Sequence, residues 1–156
     1  MLKKILLLSA ILFSANAYSA NYIDTQYGEN GMEVHIMKVS FNKNIMTVVF
    51  AVENTSDEDA VYSAFPIQQV YFNTGNKKYP VIKDAEDRWL ASTIAYTNSK
   101  TDIFADKLNS NKYYTFTVKA GGKKVGWMKY EAPQDSDWPL DLSFPGVTPF
   151  TINKPQ

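Results

Sequence analysis

Ile45-Met-Thr-Val-Val-Phe-Ala-Val-Glu53 is the most strand-like stretch of the chain. Val, Ile, Thr and Phe suit a pleated, half-buried surface. Side chains alternate along a strand, so Val48, Phe50 and Val52 share one face and Val49, Ala51 and Glu53 the other. Both faces are mainly apolar, which predicts a central strand rather than an edge. Asn54-Thr-Ser-Asp-Glu-Asp59 then supplies side chains that form turns and ends the run.

Reading outward, the same texture recurs. Met32 to Phe41 is β-branched and partly alternating, and Asn42-Lys-Asn44 makes a turn into the Ile45 run. Val61–Phe65 and Ile67–Phe72 read as extended segments around Pro66, and Asn73-Thr-Gly-Asn76 as a hairpin turn into Lys77–Ile82. Residues 83–108 fit two patterns. Asp84 can cap a short helix through Ala95 with Trp89, Leu90 and Ile94 inward, whereas the Thr and Tyr residues favour extended structure. Lys112–Val118 and Val125–Glu131 flank Ala120-Gly-Gly-Lys-Lys124 as a hairpin, with Tyr114, Phe116 and Val118 on one face. Leu140, Leu142 and Phe144 alternate in a late strand closed by Pro145-Gly146, and Phe150–Ile152 forms a final edge. Seven or eight short strands separated by Asn, Gly and Pro predict an all-β, antiparallel sandwich.

The first residues read as an address. Met1-Leu2-Lys3-Lys4 is basic, Ile5 to Phe13 is mainly apolar, and Ser14-Ala15-Asn16-Ala17 is small. That is the pattern of a secretory signal peptide, with cleavage expected after Ala17. The apolar run is far shorter than the ~20 residues of a membrane-spanning helix. One domain is expected over 18–156, periplasmic or secreted.

Composition narrows the function. The chain has 156 residues, 16 basic, 16 acidic, one His and no Cys. Removal of Lys3 and Lys4 leaves the domain two negative charges in excess, which offers nothing to a nucleic-acid backbone. At 45% apolar and 14% aromatic the chain carries enough to fill a core. Without Cys there is no thiol nucleophile, disulfide or lipid anchor, so the core must hold the fold alone.

The order of four motifs resembles a known family. These are the β-run ending Glu53-Asn54-Thr55-Ser56-Asp57-Glu58, then Tyr71-Phe72-Asn73-Thr74-Gly75-Asn-Lys-Lys-Tyr79, then Gly122-Lys-Lys-Val-Gly-Trp-Met-Lys-Tyr-Glu-Ala-Pro133, and Pro139-Leu-Asp-Leu-Ser-Phe144. Over residues 32–144 they resemble immunoglobulin-like domains of unknown function in small exported bacterial proteins, the immunoprotective extracellular antigen type. The resemblance implies an immunoglobulin-like sandwich and no catalytic residues. The 83–108 stretch is longer than that pattern, and no lipobox Cys is present.

Candidates for chemistry are few. His35 is the single histidine, so a Ser–His type site has one available base and no Gly-x-Ser-x-Gly elbow. Met32-x-x-His35-x-Met37, with Met46 on the next strand, offers thioether and imidazole ligands of the kind that suit Cu(I). His35 and Met37 lie about 7 Å apart on one face of a strand, while Met32 points the other way. The ordinary alternative is Met residues filling core gaps. Acidic residues cluster at Asp57-Glu58-Asp59, at Asp84, Glu86 and Asp87 near Arg88, and at Asp135-Ser-Asp137, none with calcium-loop spacing. Tyr62, Tyr71, Tyr79, Tyr96, Tyr113, Tyr114, Tyr130, Trp89, Trp127 and Trp138 serve either core or contact. Trp127 is expected in the core and Tyr113 on a contact face. The expected role is therefore non-enzymatic, with no cofactor: binding an envelope or extracellular protein, for instance as a periplasmic immunity or inhibitor protein. A periplasmic copper-binding protein using His35 and Met residues, and a carbohydrate-binding module using surface aromatics, are the alternatives.

Overall fold

The computed structural model describes residues 21–92, 95, 96 (both as backbone only) and 115–155. Segment 1–17, Tyr113 and Tyr114 lie outside them, as does most of 93–108.

The Ile45 run is strand β3 (Ile45–Asn54), and it is an inner strand. It pairs on one side with β2 (Met32–Asn42) and on the other with β10 (Lys123–Glu131); β1 (Asp24–Tyr27) completes an antiparallel first sheet in the order β1-β2-β3-β10. The β2–β3 hairpin turns through Lys43-Asn44, with Lys43 at φ 53°. The intervening chain supplies β4 (Ala60–Ser63), β5 (Phe65–Pro66), β6 (Tyr71–Asn73), β7 (Lys78–Pro80), β8 (Ala95–Tyr96) and β9 (Thr115–Val118). After β10 come β11 (Leu140–Ser143) and β12 (Phe150–Ile152). The second sheet is antiparallel in the order β12-β11-β6-β7, with the predicted Phe150–Ile152 strand at its edge. Two short pairs, β4 with β9 and β5 with β8, complete the pairing, the latter parallel. Neither large sheet closes into a barrel.

The two large sheets share one core. Val34, Ile36, Met46, Val48, Phe50, Val52, Met128 and Tyr130 come from the first, and Phe72, Tyr79, Leu140, Leu142, Phe150 and Ile152 from the second. Phe72 meets Tyr130 edge to face at 4.8 Å between centroids. Phe144 lies 5.0 Å from both Phe50 and Phe65, so it joins both sheets to the short strands. Such edge-to-face contacts add to the burial term.

Three expectations are corrected, and one open alternative is decided over its described part. Lys112–Val118 and Val125–Glu131 do not form a hairpin with each other: β9 pairs with β4, and β10 takes nine consecutive partners on β3, Lys123↔Glu53 through Glu131↔Ile45. The long apolar β3 offers β10 more buried pairing than the four-residue β9 can. Ile67–Gln69 is a single 3₁₀ turn rather than strand. Of the two patterns open for 83–108, the helix is absent over the described residues 84–92. The Asp84 carboxylate instead accepts from the backbone N–H of Glu86 (3.0 Å) and Arg88 (2.9 Å), closing a turn, and Lys83 bridges Trp89. Trp127 is not core: it is 39% exposed. The strand phase turns Gly126, Met128 and Tyr130 inward and Trp127 outward with Lys123 and Lys129.

After β7 the chain leaves the second sheet and runs along the free side of β10. Val81 bridges Tyr130 and Ala91 bridges Met128, with Ile82 N–H donating to Lys129 O and Ser92 N–H to Trp127 O. The β10 edge is thereby covered from Trp127 to Tyr130.

Candidate functional site

The outer face of the first sheet gathers the side chains that the core does not use. Its residues follow from strand period and register. Tyr27, Glu33, Glu53 and Lys123 form one row across the four strands; Thr25, His35, Ala51 and Val125 form the next; Lys38, Val49 and Trp127 the third; Ser40, Thr47 and Lys129 the fourth.

His35 sits in this face but is only 3% exposed. Tyr22 stacks on its ring at 4.0 Å and 15°. Nδ1 is 2.8 Å from Thr25 Oγ1. Nε2 faces two carboxylates, Glu53 Oε2 at 3.2 Å and Glu33 Oε2 at 3.7 Å, without hydrogen-bond geometry to either. Those carboxylates favour a proton on Nε2, and Nδ1 then accepts from the Thr25 hydroxyl. Lys123 Nζ closes the group, 3.1 Å from Glu53 Oε2 and 2.7 Å from the Tyr22 hydroxyl. Its bond to Tyr22, and then the Glu53 carboxylate, hold the ammonium charged above the usual lysine range.

Carboxylate, imidazole and hydroxyl thus stand in the order of a hydrolytic relay. A nucleophile needs access to its substrate, and the imidazole here is covered by Tyr22 and flanked by strands. The arrangement instead ties the N-terminal residues and β1 onto the sheet.

The copper candidates are not brought together. Met46 is fully buried in the core, opposite Phe41 and Tyr130. Met37 occupies the register irregularity between Ile36 and Lys38, and Met32 is buried at the inner side of β2. Among the described residues no group of three or more His, Asp and Glu is arranged to hold a metal ion. The acidic clusters serve turns: Asp59 binds Lys119 (2.6 Å) and the Ala120 N–H, Asp84 and Glu86 bind Arg88, and Asp135 binds Lys154 (2.9 Å).

Tyr62, Tyr79 and Tyr130 are core. Exposed apolar side chains on the outer face are Trp127 and Val125 (54%) on β10, beside half-buried Val49 of β3, and Tyr27 (69%) on β1 at the opposite edge of the sheet. Lys129 Nζ lies 5.7 Å from the Trp127 centroid and partly occupies one ring face. Sequence reading missed this patch. The signal was present, since Lys123, Trp127 and Lys129 share a parity and two lysines mark the wet side. Glu33-x-His35 was also legible, but Tyr22, Thr25, Glu53 and Lys123 reach it only through the fold.

No protein-family model matches the chain, and no match was found among curated proteins or solved structures. The class is defined by architecture: an all-β protein of antiparallel sheets around one core. No helix among the described residues is long and apolar enough to cross a membrane.

Proposed function

We propose that this is an exported, non-enzymatic binding protein built on an immunoglobulin-like β-sandwich, and that the outer face of the first sheet is its contact surface. The carrying observation is the exposed Trp127 and Val125, neighbours on β10 beside Val49, on a sheet face pinned by the His35 network. Large apolar side chains grouped on one wet face mark interaction sites more often than scattered ones do, and Trp and Tyr dominate such contacts. Export rests on the three-part segment 1–17, and a periplasmic immunity or inhibitor protein is one form of the role. The test is capture from an envelope extract by the immobilised mature chain. Trp127→Ala with Val125→Ser should lower retention of a specific protein about tenfold, while Val61→Ser on β4 should leave it unchanged. Equal retention by all three proteins, or retention of polysaccharide in place of protein, overturns the reading.

A further inference from the structure

We propose that the exposed half of this face accepts an acidic protein segment, one whose carboxylates flank an apolar side chain. This rests on the contact-surface reading above and names the chemistry of the partner. The exposed half is centred on Val125 and Trp127 of β10 and Val49 of β3. Two lysines border it: Lys38, in the row of Val49 and Trp127, and Lys129, one row further along β10. Lys38 reaches this place through an irregularity in β2. Strict alternation after Val34 and Ile36 would turn it inward, towards the core. The register shift between Ile36 and Lys38 inserts one extra residue, Met37, and sets Lys38 opposite the outward Val49. Bulges that re-aim a side chain in this way are built features of a strand rather than defects.

The charges on the face divide in two. Around His35, the groups of Glu33, Glu53 and Lys123 face one another, and Tyr22 closes over them. Lys38 and Lys129, by contrast, pair with no carboxylate among the described residues. The patch is therefore cationic on a domain with two negative charges in excess, and it complements an anionic occupant. Lys129 Nζ stands 5.7 Å from the Trp127 centroid, so a carboxylate that meets this ammonium lands beside apolar surface. Lys38 and Lys129 lie two strands and one side-chain step apart, roughly 12 Å. Carboxylates four residues apart on an extended segment are separated by about 13 Å, and the residue midway between them points to the same side. Such a segment, acidic-x-apolar-x-acidic, sets its central side chain over Val49 and Trp127. A lipid surface is entered by apolar groups that project into it, whereas Trp127 lies in a flat sheet face and is 39% exposed. The geometry thus favours protein over membrane.

The probes are two random copolymers, Glu with Tyr and Lys with Tyr, and vesicles of phosphatidylcholine with phosphatidylglycerol, each passed over the immobilised mature chain. The Glu–Tyr copolymer should be retained, less so as salt is raised, and the Lys–Tyr copolymer should not. Lys38→Glu with Lys129→Glu should weaken retention of the acidic copolymer about tenfold and admit the basic one. Lys78→Glu, on β7 of the second sheet, should change neither. Far-UV circular dichroism of each variant separates a lost contact from a lost fold. Equal retention of both copolymers, or a lysine double variant that behaves as wild type, overturns the acidic partner. Vesicle binding without copolymer binding also overturns it and assigns the patch to a lipid surface. An envelope protein whose capture depends on Trp127 and Val125 but not on the two lysines overturns this inference and leaves the contact surface standing. Capture that depends on none of the four overturns both.

Discussion

At Asn54 one buried amide serves two strands and a loop. Its Nδ2 donates to Glu58 O at 2.7 Å and to Val118 O at 3.2 Å, and its Oδ1 accepts from the N–H and hydroxyl of Ser56 at 3.0 and 2.6 Å. The acidic loop 55–59 and the end of β9 are fixed by this one side chain. Asn54→Ala strands buried carbonyls, which costs about 2 kcal/mol and should lower the urea midpoint by roughly 1 M. A second such device is the Tyr79 hydroxyl, which donates to Asp137 Oδ2 and docks the 135–137 turn. That bond, and then the Gln134 N–H, hold the Asp137 carboxyl below the usual range near 3.8. A depressed folded pKa means stability that is present above the unfolded value and is lost as pH falls through the folded one. Tyr79→Phe should therefore melt lower than wild type at pH 7, with the gap narrowing below about pH 4.

The element on which both faces depend is β10. Its inner side packs the core through Met128 and Tyr130, and its outer side carries Lys123, Val125 and Trp127. At Gly126 the 90–92 segment comes close. A Cβ there would stand 2.5 Å from Phe50 Cζ and 2.7 Å from Ser92 Oγ. Gly→Ala normally stabilises by about 0.4–1 kcal/mol through the unfolded chain, but overpacking costs about 1–3 kcal/mol, so strain wins here. Gly126→Ala should lower the melting temperature by about 5 °C, whereas Gly75→Ala, which meets nothing within 4 Å, should not. The same strand explains what the sequence could and could not show. Period-two alternation identified β2, β3, β10 and β11 as strands, because alternation is a local property. It set the phase of β10 wrongly, because the size of Trp127 was weighed above the Lys123 and Lys129 that share its parity. It also joined β10 to β9, because nearest neighbours in sequence are the default partners when the burial available on β3 is not yet known.

For the whole molecule, the strand pattern was legible and the contacts that organise the core were not. Leu140, Leu142 and Phe144 were read as alternating along a late strand, and all three are buried. That Phe144 would reach Phe50 and Phe65 together depends on how sheets stack, which no window of sequence contains. The candidate site shows the same division. Glu33 and His35 are two apart on one strand, whereas Lys123 arrives from the opposite side of the sheet by way of the Lys123↔Glu53 pairing. The acidic loops drew attention as possible ligand sites because charge is visible in sequence, but in the fold those carboxylates accept from lysine, arginine and backbone N–H groups nearby. The outer-face patch escaped notice for the converse reason, since apolar residues are assigned to the core until the fold shows which of them face water.

The chain segment laid along β10 has a consequence for aggregation. A sheet that polymerises edge to edge needs two bare edges, one to receive and one to offer. In the first sheet, among the described residues, Val81, Ile82 and residues 90–92 occupy the free side of β10 from Trp127 to Tyr130, and the other edge is the four-residue β1. Strand-to-strand growth through this sheet therefore finds little open ladder at either edge.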